Sequence, residues 1–177
     1  MIQIQETADY RPLIPFFIEN ELEFEEGEEY GEDEIVKCWR ADASDEPGAS
    51  DTMDVSDVPD AQDASNSSDT PDAPPPDSRL VGACVLAERG GELICDGIAV
   101  SPSYRKGNLG KTLLNLLIKE AKSKDADKVF LVARAPGFFA KAGFTPVPRE
   151  EAPDFFECFT CPQYGKTCHP EVMRLDI

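Results

Sequence analysis

Val100-Ser-Pro-Ser-Tyr-Arg-Lys-Gly-Asn-Leu-Gly110 decides the fold of this 177-residue chain. An apolar run ends at Val100. A basic pair (Arg105, Lys106), two glycines (Gly107, Gly110) and Asn108 follow, and an amphipathic segment starts at Leu109. This is a strand-to-helix junction. The backbone N–H groups of such a turn, backed by the positive end of the helix dipole, form an anion site suited to a pyrophosphate. Gly107, Asn108 and Gly110 are residue types that tolerate left-handed or closely approached backbone. The same residues also describe an ordinary surface loop with an Arg-Lys pair.

Upstream of the junction, Leu80–Ala87 (LVGACVLA), a turn at Arg89-Gly90-Gly91 and Glu92–Val100 (ELICDGIAV) read as a β-hairpin. Downstream, Leu109, Leu113, Leu116, Leu117 and Ala121 fall on one helical face. Lys119, Lys122 and Lys124 follow near its C-terminal end, where they favour the dipole. Lys128–Ala133 (KVFLVA) reads as a buried strand and Phe138–Ala142 as a short helix stopped by Gly143. Thr145–Pro148 is a brief strand and Glu171–Ile177 a closing one.

Towards the N-terminus, Ile2 and Ile4 alternate with glutamines as a short strand, and Ile35–Arg40 (IVKCWR) forms a second. Between them Thr7 or Asp9 caps a helix towards Phe17, with Pro15 disturbing its middle, and the acid-rich run Glu19–Glu34 reads as loop or frayed helix. The order is β-α-β-β-β-α-β-α-β-β, a mixed α/β sheet with helices on both sides.

Between IVKCWR and LVGACVLA lies Ala41–Ser78. These 38 residues hold 11 acids, 6 prolines and 7 serines, with no Lys, Arg or aromatic residue. Such a block cannot bury enough apolar surface to offset the entropy of ordering. We read 41–78 as a disordered acidic Pro/Ser/Asp-rich insertion within one domain spanning 1–177. Loop closure tolerates it, because its cost grows only as the logarithm of length. An acidic arm that docks on a basic protein partner is the alternative reading.

The net charge is −18, concentrated in the first 78 residues; residues 79–177 carry +2. Phosphate backbones and anionic leaflets repel such a chain, which argues against nucleic-acid and membrane-surface roles. The apolar stretches are short (Leu13–Ile18 is six residues with a proline inside), so no transmembrane or secretory segment is expected. Cys38, Cys84 and Cys95 sit singly in apolar runs, as small hydrophobes do, which points to a reducing, cytoplasmic compartment.

Val100–Leu114 (VSPSYRKGNLGKTLL) resembles the acetyl-CoA-binding signature of the GNAT acetyltransferases, an Arg/Gln-x-x-Gly-x-Gly/Ala turn after a Val-x-Pro-x-x-Arg strand exit. Val100, Pro102, Tyr104, Arg105, Leu109, Gly110, Lys111, Leu113 and Leu114 fit; Asn108 stands where the signature has its first glycine. Phe138-Phe-Ala-Lys-Ala-Gly-Phe144 resembles the family's Phe-Tyr-x-Lys-x-Gly-Phe element.

The resemblance implies a GNAT-like mixed, mostly antiparallel twisted sheet flanked by helices. It also implies an N-acetyltransferase that moves acetyl from acetyl-CoA, its co-substrate, to the primary amine of a small molecule or amino acid. The backbone of Ile98, Ala99 and Val100 would hold the pantetheine arm. The amides from Arg105 through Lys106, Gly107, Asn108 and Leu109 to Gly110, with Lys111 beside them, would take the pyrophosphate, with added charge from Arg105 and Lys106.

Asp96 and Glu92 are the candidate bases for the acceptor ammonium. Glu92 lies 13 residues before Arg105, a spacing seen in some family members, although it also reads as the first residue after the Gly-Gly turn. In a regular strand the two share a face, and a bulge would change that. Phe139 occupies the family's tyrosine position, against the cofactor, so the usual acid is missing. Water, Tyr104 or Tyr164 is left to protonate the thiolate.

Cys158, Cys161 and Cys168 with His169 resemble three-quarters of a zinc site, because adjacent Cys168 and His169 rarely both bind one tetrahedral ion; a fourth ligand is needed from Cys38, Cys84 or Cys95, and packed thiols are the alternative. The tail also resembles short N-acetylglutamate synthase-like members, through Cys158, Cys161, Pro162, Cys168 and Met173. That branch implies glutamate as acceptor, with Arg134 or Arg40 to hold a carboxylate. A non-catalytic CoA- or protein-binding module is the reading from another class. A homodimer is compatible with the sequence.

Overall fold

The computed structural model describes residues 1–22, 34–44, 78–153, 162 and 164–177. Seven strands form one sheet: β1 (Ile2–Thr7), β2 (Ile35–Ser44), β3 (Ser78–Arg89), β4 (Glu92–Val100), β5 (Lys128–Ala133), β6 (Thr145–Pro146) and β7 (Glu171–Asp176). Their spatial order is β1-β2-β3-β4-β5-β7-β6. Every neighbouring pair is antiparallel except β4–β5. The expected mixed, mostly antiparallel architecture is the one observed.

The boundary of the acidic block moves. β2 continues through Ala41, Asp42, Ala43 and Ser44, paired with β1 on one side and β3 on the other, and Ser78 already belongs to β3. Composition could not separate these residues from the block, because small and acidic side chains can be paired by the backbone alone when both neighbours are present. Residues 45–77, the remainder of the expected insertion, lie outside the described residues. So does most of the acid-rich run, at 23–33.

Helices cover both faces. On one, α1 (Ile14–Glu19) brings Ile14, Phe16 and Phe17 onto Cys38, Ala83, Val85 and Ala99. A 3₁₀ turn at Arg11–Leu13 leads into it, with Asp9 Oδ1 accepting from the Arg11 N–H at 3.1 Å. Pro15 falls in the first turn of α1, where no N–H is needed, so it starts the helix instead of breaking it.

On the other face, α2 (Leu109–Ser123) buries Leu109, Leu113, Leu114, Leu117 and Ala121 against Trp39, Cys84 and Leu86. Leu114 is buried where the helical stripe pointed to Leu116, which is only partly covered. Each fully buried leucine contributes about 1.5–3 kcal/mol. The helix sits close to the sheet at Gly82, where a Cβ would lie 3.1 Å from both Leu109 Cδ2 and Leu113 Cδ1. The β3–β4 turn uses Gly90 and Gly91 at φ 58° and 81°, the left-handed pair that a two-residue hairpin needs.

Candidate functional site

The parallel pair β4–β5 is joined at only two positions, Leu93–Val129 and Ile94–Phe130. Beyond Ile94 the two strands part. From Cys95 to Val100, β4 keeps β3 on one edge and has no ladder partner from β5 among the described residues. Backbone polar groups need partners, so the uncovered edge at Ile98, Ala99 and Val100 suits an extended, amide-bearing ligand arm. These are the residues that the family resemblance names for the pantetheine arm.

The turn at the mouth of this opening is built as a donor cluster. After a 3₁₀ turn at Pro102–Tyr104, Asn108 is the N-cap of α2, and the first intrahelical bond runs from the Thr112 N–H to the Asn108 carbonyl at 2.9 Å. The N–H groups of Leu109, Gly110 and Lys111 therefore have no intrahelical acceptor and point out of the helix start. Lys106, Gly107, Asn108 and Lys111 are exposed, whereas the Leu109 side chain is core.

One expectation for the turn is corrected. Asn108 has φ −87°, and neither Gly107 nor Gly110 is among the left-handed glycines. The turn thus requires no left-handed residue, and asparagine fits where the signature has glycine. Close approach is what the second glycine provides: a Cβ at Gly110 would sit 3.5 Å from Phe138 Cζ and 3.6 Å from Val100 Cγ2.

Two other side chains have partners within the fold. Arg105 turns back to the strand exit, donating from Nε to the Val100 carbonyl at 2.9 Å and from Nη2 to Asn20 Oδ1 at 3.3 Å. It tethers the C-terminal end of α1. Phe139 packs in the core, edge-on between Phe138 and Phe144, because α3 (Pro136–Ala140) turns it inward. Phe138, which the sequence reading passed over, is the partly exposed ring that lies by Gly110.

The structure separates the two candidate carboxylates. Glu92 begins β4 and pairs with Lys128 Nζ at 2.8 Å, at the closed end where β4 and β5 are still joined. Asp96 lies past the parting point. It sits at a β-bulge: Val85 faces Gly97 and Leu86 faces Cys95, so the register skips one residue of β4.

The bulge also flips the strand. Leu93 and Cys95 face the α2 side before it, whereas Ile98 and Val100 face that side after it. The regular-strand condition under which Glu92 and Asp96 share a face is thus not met, because the bulge lies between Cys95 and Gly97. Asp96 Oδ1 meets Arg89 Nη2 at 3.0 Å, with both side chains largely buried, and Arg89 Nε lies 3.5 Å from Glu34 Oε2.

The remaining candidates are engaged elsewhere. Arg40 makes a two-pronged contact with buried Asp42, at 2.7 Å for each bond. Arg134 donates to the Glu21 carbonyl and approaches its carboxylate at 3.8 Å. Tyr104 packs against the α2-side core, and Tyr164 lies in the exposed C-terminal turn.

Cys38, Cys84 and Cys95 are buried inside the sheet. Burial pushes the Cys38 thiol up to about 12, with the charges of Asp9 and Asp96 adding to it. Burial raises Cys84 and Cys95 as well. They pack as protonated thiols among the apolar residues of the sheet. Cys158 and Cys161 lie outside the described residues.

A profile of the acetyltransferase (GNAT) family matches residues 39–144, from β2 through Phe144. The chain belongs to this family. The family is one of acetyltransferases. The amino-acid acetyltransferase of Escherichia coli strain K12 is 37% identical over 68 residues, which is 38% of this chain and 15% of that protein.

The N-acetylglutamate synthase of Neisseria gonorrhoeae, solved with coenzyme A and N-acetyl-glutamate, superposes with a TM-score of 0.60 at 17% identity. That match covers 99% of this chain and 35% of that one. A Bacillus subtilis acetyltransferase solved with CoA gives 0.58 at 20% identity, over 100% of this chain and 99% of that one. The two superpositions speak for the fold. Among the described residues of this GNAT chain, no helix is long and apolar enough to cross a membrane.

Proposed function

We propose that this chain transfers the acetyl group of acetyl-CoA to the primary amine of an amino acid or similar small molecule, by direct attack of the amine on the thioester. The observation that carries the proposal is the parting of β4 from β5 after Ile94, with the donor turn Lys106–Lys111 at its mouth. The opening has the chemistry the donor needs. Backbone edge at Ile98–Val100 suits the amide-bearing pantetheine arm. The N–H groups of Leu109, Gly110 and Lys111, with the ammonium groups of Lys106 and Lys111, suit the pyrophosphate.

In this reading Asp96 takes a proton from the acceptor ammonium, directly or through a water, so that the nitrogen lone pair is available. Backbone N–H groups on the open β4 edge polarise the carbonyl under attack. The C–N bond forms as the C–S bond breaks. With Phe139 buried and lacking a hydroxyl, the thiolate leaves unassisted or takes its proton from water.

An amino-acid acceptor is favoured by the sequence match to an amino-acid acetyltransferase. Glutamate itself gains no support from Arg40 or Arg134, since both are already engaged. Three buried thiols fit a reducing cytoplasm.

Calorimetric titration with acetyl-CoA, beside an analogue lacking the pyrophosphate, tests the donor site. Micromolar affinity, about −8 kcal/mol, that is lost with the analogue supports it; no binding up to millimolar contradicts it. A mass-spectrometric screen of amines and amino acids then identifies the acceptor. Thiol reporters are avoided, because the chain carries 6 cysteines.

A further inference from the structure

The opening between β4 and β5 is closed at its base by the ladder at Leu93–Val129 and Ile94–Phe130. At the far ends of the two strands stand two arginines. Arg105 follows the 3₁₀ turn after β4, and Arg134 comes directly after β5. Both reach the same short stretch of chain. Arg105 Nη2 donates to Asn20 Oδ1 at 3.3 Å. Arg134 donates to the backbone carbonyl of the next residue, Glu21, whose carboxylate lies 3.8 Å from Arg134 Nη2.

That stretch is the C-terminal turn of α1, and it is built to hold one shape. Asn20 is the C-cap, and its Nδ2 donates to the Phe16 carbonyl at 2.8 Å. Glu21 has φ 64°, a left-handed conformation that a glutamate rarely takes. The Glu21 N–H bonds the Ile18 carbonyl and the Leu22 N–H the Phe17 carbonyl, each at 3.0 Å. These paired bonds around a left-handed residue are a Schellman ending. Leu22 packs against the core on the α1 side, which fixes the turn to the helix.

Arg105 also holds the open edge of β4. In the β3–β4 ladder the Ser101 N–H bonds the Val81 carbonyl, so Val100, opposite Gly82, turns its own N–H and C=O away from β3. Arg105 Nε donates to that Val100 carbonyl at 2.9 Å. One guanidinium thus joins the open edge to α1, and a second joins α1 to the end of β5. The strands that part after Ile94 are linked again across their far ends.

We propose that Asn20–Glu21 is a strap across the β4–β5 opening, pinned by Arg105 and Arg134, which sets the width of the passage taken by the acceptor amine. The clause about the acceptor rests on the functional reading above; the strap itself does not. Arg105 and Arg134 are positioning residues that act through α1. The bonds to Asn20 Oδ1 and to the Glu21 carbonyl carry the strap. The Glu21 carboxylate is 83% exposed, so its ion pair with Arg134 adds little.

The test is amide water exchange, followed by NMR on the full ¹⁵N-labelled chain without ligand. Arg105→Gln and Arg134→Gln are each expected to speed exchange at Glu21 and Leu22 by about three- to tenfold. The amides of Ala83–Ala87 on β3 are expected to stay unchanged. Arg105→Gln combined with Asn20→Ala breaks one shared contact, so this pair is expected to exchange no faster than its faster single variant. Arg105→Gln combined with Arg134→Gln breaks two and is expected to exceed either alone. Exchange unmoved in both single arginine variants, or quickened equally along β3, would overturn the strap. Should Arg105→Gln fail to fold, Asn20→Ala breaks the same contact and decides in its place.

A second arm uses the amino acid that the native chain acetylates fastest in an equimolar mixture of the twenty L-amino acids, read by mass spectrometry. Asn20→Ala is expected to raise the KM for that acceptor by about threefold or more and to leave kcat within about twofold. A loss confined to kcat, or no change in either constant, would overturn the role at the passage. If the native chain acetylates none of the twenty, the amino-acid acceptor of the functional proposal fails, and exchange at Glu21 and Leu22 still decides the strap.

Discussion

The two edges of β4 make a useful comparison. On the β3 side the strand is paired from Glu92 to Val100, interrupted only by the bulge at Asp96. On the β5 side it is paired at Leu93 and Ile94 and nowhere beyond. One strand is thus paired along one edge and open along most of the other. A site of this kind arises from pairing that is withheld, and the helix start beside it supplies donors that helices withhold in the same way. The two acids of the strand follow this division. Glu92 closes a surface ion pair at the joined end, and Asp96 stands at the opening.

The sharpest way to break the comparison is to exchange the two acids. Asp96→Asn is expected to lower kcat by about 10²–10⁴-fold with acetyl-CoA affinity preserved, and Glu92→Gln to change kcat less than twofold. Steady-state rates on the acceptor from the amine screen, with calorimetry for binding, check both. Equal losses for the two variants would mean that position along β4 does not distinguish them.

Next in size is the closed side of the sheet. Gly82→Ala puts a Cβ within 3.1 Å of Leu109 Cδ2 and Leu113 Cδ1, at the start of α2. It is expected to cost about 1–3 kcal/mol and to weaken acetyl-CoA binding by displacing the donor turn. Chemical denaturation and calorimetry measure the two effects.

The buried thiols give a pH signature of the well-paired core. An unfolded thiol ionises near 9, whereas Cys38 in the fold is held up to about 12. The folded state therefore binds the proton more tightly. Its stability contribution is intact below pH 9 and is lost as pH climbs from 9 towards 12. The slope is about 1.4 kcal/mol per pH unit for this group. Denaturation midpoints from pH 8 to 10 are expected to fall less steeply in Cys38→Ala than in the native chain.

The smallest effect is expected at the turn itself. Because Asn108 has φ −87°, Asn108→Gly restores the family's residue type without relieving any strain. It should leave acetyl-CoA affinity within twofold and change stability by a few tenths of a kcal/mol. A tenfold gain in affinity would show that asparagine does distort the turn.

Much of this was legible in the chain. Alternation and helical spacing give the strand and helix order, and the Gly-Gly turn gives the hairpin. Those signals are local, and so is the basic, glycine-containing turn after Val100. What escaped the sequence depends on long-range pairing. The bulge at Asp96 is set by the register of β3, and so the separation of Glu92 from Asp96, and the reach of Arg89 to Asp96, could not be read from spacing.

Phe138 and Phe139 are adjacent and chemically alike. Only the turn of α3 decides which ring is core and which lies by Gly110. The contact of Arg105 with Asn20, just past the end of α1 and 85 residues away, is not legible from spacing. Ala41–Ser44 read as part of the acidic block because backbone pairing with two neighbours leaves no compositional trace.

The central claim is that the open edge of β4 and the start of α2 together hold the donor. Amide hydrogen exchange with and without saturating acetyl-CoA tests it most directly. Slowed exchange is expected at Ile98–Val100 and at Lys106–Lys111, with little change along β3 at Ala83–Ala87, which is already paired. Binding that leaves both segments unchanged would contradict the account and place the donor elsewhere on the molecule.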